Sequence, residues 1–380
     1  MRIVPLSCVR EGTRLAKTIY NSKGSILLKA GVVLSEALIT RIKENGLYTV
    51  YIDDGYSDEE INELIKPEVR NQAIKAIKET FQNIEKFNSS MKNEFTSFND
   101  KLKVKGMEKY LQQLKQVSDY IVEDITNSRQ LMINLVDIKS IDNYTYEHSL
   151  NVAVLSLILG IELKLSKGDL YKLFMGALLH DVGKAFLPKE LLSVSFDELN
   201  EDQQEQYKNH TLDGYNYLKE HYSLSSHSKV VALQHHEHYD GSGYPRGMSG
   251  NFINRMARIV AIANSYDEIT SDTVNSPAKP PNEAIEYIMG AAGRHFDFDM
   301  ANTFVRKIIP YPAGTLVKLS NGQIAVVEKV NPNYPLRPVI NILNISKAGV
   351  QKSRMDLLVN PNIVIDGIQY VDPKDSKNET

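Results

Sequence analysis

All nine histidines of this 380-residue chain fall between His148 and His295, where chance would have scattered them. Several stand in company that could do chemistry: His148 in YTYEHSLNVA, His180 and Asp181 in LLHDVGK, His210 in KNHTLDG, and His235 and His236 in QHHEHYDGSGYP. Imidazole nitrogens with a bridging carboxylate suit divalent transition metals such as Fe, Mn, Zn, Co or Ni, whereas a Ca²⁺ site would need mainly oxygen ligands. One histidine alone is more often a packed or solvated side chain, so the clustering carries the reading. His180 and Asp181 end the apolar run LYKLFMGALL. They would project from a packed scaffold into its interior, where an unpaired charge or dipole is costly unless something coordinates it. Lys184, one turn on, can face the same cavity, but an ammonium has no lone pair for a metal and suits a phosphate oxygen.

The elements that must position these residues are helices. Residues 141–309 read as mostly helical, with apolar runs such as VAVLSLILG. Before them, residues 56–140 form an amphipathic helical linker region, with apolar positions at helical spacing at Ile74, Ile77, Phe81 and Ile84, then Leu111, Leu114, Val117, Ile121 and Ile125. The polar stretch NSSMKNEFTSFNDK separates the two stripes, which could pack on the next domain or against a second copy of the chain as a homodimer. Residues 1–55 read as a small α+β module: strand, turn at Asn21 to Gly24 and strand, then a helix with Ser35 as N-cap and Gly46 as stop, then a strand from Tyr48 to Ile52. After Pro310 the texture turns to β, and residues 310–372 read as a small β-rich module. There Asn321-Gly322 between two β-branched runs predicts a type I′ hairpin. Residues 373–380 form a polar tail. The chain is thus multidomain and mainly α, with a helical core between two small modules.

Composition narrows the setting. Hydrophobic residues make up 42% and charged residues 24%, enough apolar material for a sizeable core. A single cysteine, Cys8, excludes an internal disulfide framework and a cysteine-rich zinc site, and suits a reducing compartment. No apolar run approaches the length of a membrane span, so no membrane insertion is expected and the chain reads as cytoplasmic. A net charge of -3 supplies no electrostatic reason to bind a nucleic-acid polymer.

HDVGK, then HTLDG, then HHEHYDGSGYP resemble the HD-GYP family, a branch of the HD metal-dependent phosphohydrolases, over roughly Asp142 to Asp272. The resemblance implies an all-α core of HD type holding two or three divalent ions, Fe or Mn first and Zn, Co or Ni as alternatives. It also implies hydrolysis of the second messenger cyclic di-GMP to pGpG and onward to GMP, in bacterial signal transduction. Carried over by position, it makes His148, His180, Asp181, His210, His235 and His236 metal ligands, with Asp181 bridging, and Lys184 the phosphate-binding residue. Gly243, Tyr244 and Pro245 become a loop at the mouth that contacts substrate or a signalling protein. His221, His227, His238 and His295 match no ligand position.

Three departures from the family pattern stand out. Tyr144 replaces the glutamate of three-metal members, which favours two metals. Asn264 stands where an aspartate ligand is expected, with Asp267 three residues on, so one ion would be held less tightly. Thr273 and Ser276 occupy positions that are often basic, with Lys279 a candidate substitute. The competing readings are therefore a catalytically impaired receptor or adaptor for cyclic di-GMP, and a phosphohydrolase of another nucleotide.

Overall fold

The computed structural model describes residues 1–20, 25–45, 47, 49–56, 64–91, 99–127, 144–271, 278–346 and 349–373. The expected turn at 21–24, Gly46, Tyr48, Thr273 and Ser276 lie outside them.

The N-terminal strands β1 (Arg2–Pro5), β2 (Arg14–Leu15), β3 (Ile19–Tyr20) and β4 (Ile26–Leu28) precede the helix α1 (Glu36–Glu44) and the strand β5 (Thr49–Asp53). They form a three-stranded sheet in the order β1-β5-β2 and an antiparallel β3-β4 pair. Ser35 caps α1 as expected, its hydroxyl accepting from the Leu38 amide.

Two long helices follow, α2 (Pro67–Met91) and α3 (Asn99–Asn127), packed against each other and against α4 (Tyr144–Glu162) and α5 (Lys167–Leu178). Their apolar stripes close inward: Ile77, Phe81, Ile84, Leu111, Leu114, Ile121 and Ile125 are buried in the same cluster as the residues of α4 and α5. Of the two destinations open to those stripes, this core is the one they occupy. α4 is buried almost all round, from Glu147 to Gly160, which explains why VAVLSLILG has no polar face.

The short α6 (Lys189–Leu192) and α7 (Glu201–Lys208) lead into α8 (His210–His221), α9 (Ser226–Gln234) and α10 (Arg255–Ile269). α11 (Pro281–Gly290) and α12 (Phe298–Val305) finish the bundle. Between α5 and α6 the chain makes a tight 3₁₀ turn, Val182–Phe186, that lies on α8. Gly183 makes this contact possible: a β-carbon there would stand 1.8 Å from the His210 carbonyl oxygen and 2.8 Å from the Gly214 nitrogen. The glycine of HDVGK therefore serves to bring the turn carrying Asp181 onto the helix that begins with His210.

The C-terminal sheet runs β10-β6-β7-β8-β9, from β6 (Leu316–Leu319), β7 (Ile324–Lys329), β8 (Val339–Ser346), β9 (Gly349–Asp356) and β10 (Ile365–Ile368). Both faces are used. Val317, Ala325, Val327, Ile340 and Ile342 line one, while Leu316, Val326 and Leu343 line the other against Tyr56. The β6–β7 hairpin is present, but its turn is not type I′. That turn requires positive φ at both Asn321 and Gly322, and only Gly322 has it, at 80°. The Gly322 amide donates to the Leu319 carbonyl and the Leu319 amide to the Gln323 carbonyl, so the connection is a turn closed by a glycine bulge. Arg2 links the ends of the chain: it pairs with Asp54 at 2.5 Å and donates to the carbonyls of Gln369 and Tyr370. No helix among the described residues is long and apolar enough to cross a membrane.

Replacing Gly183 by alanine should destabilise the chain by at least about 1–3 kcal/mol, the usual cost of overpacking. A thermal or urea melt in which Gly183→Ala equals wild type would show that the turn and α8 do not need this close approach.

Candidate metal centre

Five helices deliver the histidine cluster. His148 lies in the second turn of α4, His180 and Asp181 follow the end of α5, His210 begins α8, His235 caps α9 with His236 next, and Asn264 and Asp267 lie on α10. Asp181 sits in the middle, 1% exposed. Its Oδ2 lies 3.5 Å from His180 Nε2 and 3.7 Å from His148 Nε2. Its Oδ1 lies 3.5 Å from His210 Nε2 and 3.6 Å from His235 Nε2. Asp181, His210, His235 and His236 offer ligand atoms all within 4.8 Å of one another, and so do His148, His180 and Asp181. One carboxylate thus faces two separate sets of imidazole nitrogens with a different oxygen for each.

The outward nitrogens fix which atom each ring presents. Nδ1 of His180 donates to the Ala177 carbonyl at 2.7 Å, Nδ1 of His210 to that of Tyr207 at 2.7 Å, and Nδ1 of His235 to those of Val231 and Ala232 at 3.1 and 3.0 Å. His148 Nδ1 donates to Asp267 Oδ2 at 2.8 Å, and Asn151 donates to the other oxygen of Asp267 at 3.0 Å. Each Nε2 is left as a lone pair aimed at Asp181. Among the described residues, Nε2 of His148, His210 and His235 and Oδ1 of Asp181 are buried with no hydrogen-bond partner. His180 Nε2 faces Asn264 Oδ1 at 3.2 Å, so two acceptors meet unless a cation stands between them or the amide is turned. This arrangement of converging lone pairs round a buried anion could bind divalent metal.

Electrostatics agree with the geometry. Burial pushes His180 and His210 down to about 3 and drives His236 well below its ordinary value. Burial acts to lower His148 too, but the hydrogen bond and charge of Asp267 outweigh it and raise this ring. Burial would raise Asp181, yet the Lys184 ammonium and the surrounding rings hold it well below the usual carboxylate range. Lys184 Nζ lies 2.5 Å from Asp181 Oδ2, a contact that raises the lysine despite its own burial.

The Gly-Tyr-Pro loop lies over the second set. The Tyr244 ring stacks on His236, with centroids 4.7 Å apart, and its amide donates to the His236 carbonyl at 3.0 Å. A β-carbon at Gly243 would fall 2.4 Å from that carbonyl oxygen, so only glycine allows the approach. The Tyr244-Pro245 bond is cis.

Asp267, noted in the sequence only for its place three residues after Asn264, orients His148. Some contributors escaped the sequence reading. Asn151, one helical turn beyond His148, holds Asp267 in place. Glu237, 2% exposed within the HHE run, accepts from the amides of Arg246 at 2.9 Å and Met248 at 2.8 Å and so anchors the loop. A carboxylate directly after two ligand-type histidines was the available signal for it. Tyr144 stacks on His148, centroids 5.5 Å apart. Of the histidines outside the ligand pattern, His238 stacks on His295 and His221 lies against Tyr217.

Comparison with known proteins finds relatives of two parts of the chain. Residues 120–300 match the HD domain family, and residues 316–379 match the KOW domain associated with HD domain. The chain thus carries an HD domain followed by a KOW domain of the kind associated with it. It is 31% identical over 224 residues to a cyclic di-GMP phosphodiesterase of Pseudomonas aeruginosa, covering 59% of this chain and 54% of that protein. It is 38% identical over 152 residues to a 3′3′-cGAMP-specific phosphodiesterase of Vibrio cholerae, covering 39% and 34%. An HDG"Y"P protein from Bdellovibrio bacteriovorus shares the fold, with a TM-score of 0.52 and 19% identity over 80% of this chain and 98% of that one. The chain spans about half the length of the first curated relatives it matches.

The lowered rings set an expectation for the metal-free chain. In the unfolded state a histidine takes up its proton near the ordinary 6.5, whereas folded His180 and His210 resist protonation down to about 3. The unfolded state binds protons first as pH falls, so stability drops between these values by up to ~1.4 kcal/mol per pH unit per ring. His148, raised, stabilises below 6.5 and loses that contribution only above it. Urea midpoints measured from pH 6.5 to 4 should fall, and His210→Gln should flatten the slope; an unchanged slope would mean that His210 is not held neutral.

Proposed function

We propose that this chain is a metal-dependent phosphodiesterase that hydrolyses cyclic di-GMP to pGpG and, by a second cut, to GMP. The observation that carries this reading is the division of Asp181, one oxygen toward His148 and His180 and the other toward His210 and His235. His148, His180, Asp181 and Asn264 would hold one divalent ion, and Asp181, His210, His235 and His236 the other. Iron or manganese suits an imidazole-rich set bridged by carboxylate, and zinc, cobalt or nickel could replace them. The Tyr144 ring beside His148 supports two ions in place of three. When bound, such a pair supplies a hydroxide at neutral pH and neutralises charge on phosphorus.

The protein's own groups supply the rest. Lys184, 16% exposed at the edge of the cluster, would turn from Asp181 to a non-bridging phosphate oxygen, where an ammonium in a partly dehydrated cavity stabilises developing charge. Water adds to phosphorus, the bond to the 3′-oxygen breaks, and that oxygen leaves with a proton. The stacked pair of Tyr244 and His236 walls the cavity from above. Pro245, Arg246 and Gly247 are exposed on the loop and would be open to a partner protein.

Two observations favour the alternatives. Asn264 places a neutral oxygen where a carboxylate would compensate more of an ion's charge, which suits a receptor that has lost turnover. The match to a 3′3′-cGAMP-specific enzyme suits a phosphodiesterase of another cyclic dinucleotide.

Anaerobic assays with Fe²⁺ or Mn²⁺ should show turnover of cyclic di-GMP that falls at least about a thousandfold in the His180→Ala/Asp181→Ala variant. Binding without turnover would select the receptor, and neither would select another substrate. Asn264→Asp should raise metal content per chain toward two; equal content in wild type and variant would show that Asn264 does not weaken a site.

A further inference from the structure

The mouth of the metal cluster opens beside a second cavity of about 250 Å³, lined by Ser265, Glu268, Ile269, Lys279, Glu283 and Tyr287. It is smaller than the ~300–1,000 Å³ of pockets for drug-sized ligands, a size for one planar ring system and not for a whole dinucleotide. Its position follows from α10. Glu268 lies four residues after Asn264 and directly after Asp267, so it shares the helix that closes the cluster but is itself exposed at the rim. Its charge is felt at Tyr144, Lys184, Tyr207 and Tyr244 in the cluster, and at Tyr287 across the cavity. The far wall is continuous with the loop: Tyr287 hydroxyl lies 3.3 Å from His295 Nδ1, and His295 stacks on His238, which contacts Ser242. Among the described residues, neither Glu268 nor Lys279 makes an ion pair.

Resting on the phosphodiesterase reading above, we propose that this cavity receives one nucleobase of the substrate and selects guanine, with Glu268 as the specificity-determining residue. The chemistry of the edges decides it. Guanine presents two adjacent donors, N1–H and N2–H₂, and one acceptor, O6. A carboxylate takes both donors, and the Lys279 ammonium matches the acceptor. Adenine presents the reverse, a lone pair at N1 against the carboxylate and an amino group at C6 against the ammonium. Tyr287 and Ile269 offer the flat apolar surface on which either base could stack, so they add affinity without selecting. An anionic side chain near an anionic substrate is otherwise unfavourable; Lys279 and Lys184 offset it.

Two measurements on the full chain separate the pocket from the phosphodiesterase reading. With metal, kcat/KM should rank cyclic di-GMP above 3′3′-cGAMP and that above cyclic di-AMP. In Glu268→Ala the ratio of cyclic di-GMP to cyclic di-AMP should fall at least about tenfold, as for loss of a bidentate base contact. Independently of turnover, GMP should bind wild type at least about fivefold tighter than AMP by calorimetry, and Glu268→Ala should abolish the preference. Equal binding of GMP and AMP to wild type, or a preference that survives both Glu268→Ala and Glu268→Gln, overturns the proposal even if hydrolysis proceeds. A guanine preference in binding sustains it even if no dinucleotide is hydrolysed.

Discussion

An ionised carboxylate kept away from water is the constraint on which this molecule turns. Asp181 is almost wholly buried, and an isolated charge in such a place would neutralise itself or unfold the site. It stays ionised because Lys184 touches one oxygen and imidazole nitrogens converge on both. Those rings could instead turn their N–H groups inward and hydrogen-bond the carboxylate directly. They do not, because backbone carbonyls and Asp267 hold each Nδ1 from behind. The result is a centre with more acceptors than donors, a donor set that a divalent cation could complete.

Such a centre needs rigid support, and the helices supply it. α4 runs through the core with no polar face to spare, so His148 and Asn151 are held by packing on every side. The closeness of Gly183 to α8 brings the Asp181 turn and His210 together with no side chain between. α10 has two functions on one helix: Asn264 and Asp267 face the cluster, while Ser265 and Glu268 face the neighbouring cavity. A single shift of this helix would therefore alter the histidine cluster and the neighbouring cavity together.

The loop carrying Gly243, Tyr244 and Pro245 is a different kind of element. It has little apolar burial of its own and is held by the buried Glu237 carboxylate, by the stacking of Tyr244 on His236 and by the close fit of Gly243. Its outer residues are exposed, so an event at the surface of the loop has a short mechanical route to a ligand-type histidine. The flanking sheets stand apart from this chemistry, with separate apolar clusters, and meet each other through Arg2 and Tyr56.

The residue types and their order in the chain pointed to His148, His180, Asp181, His210, His235 and His236 as candidates, because few side chains suit metal chemistry and HDVGK and HHEHYDGSGYP set several of them side by side. Helical periodicity likewise marked α2 and α3, continuous apolar runs marked α4 and α5, and β-branched runs marked the C-terminal sheet. What required the tertiary structure was direction and distance. Asp267 lies on the same helix as Asn264 and reads alike in the sequence, yet packing turns it to the back of His148 and leaves Asn264 beside His180. The stripes of α2 and α3 carry no mark of their partner, and only the assembled core shows it. Asn321-Gly322 promised one turn and formed another, since the strand register decided how many residues the connection could use. The cavity between Glu268, Lys279 and Tyr287 joins residues from two helices and the segment between them, and no local pattern encodes a hollow made by parts that meet only on folding.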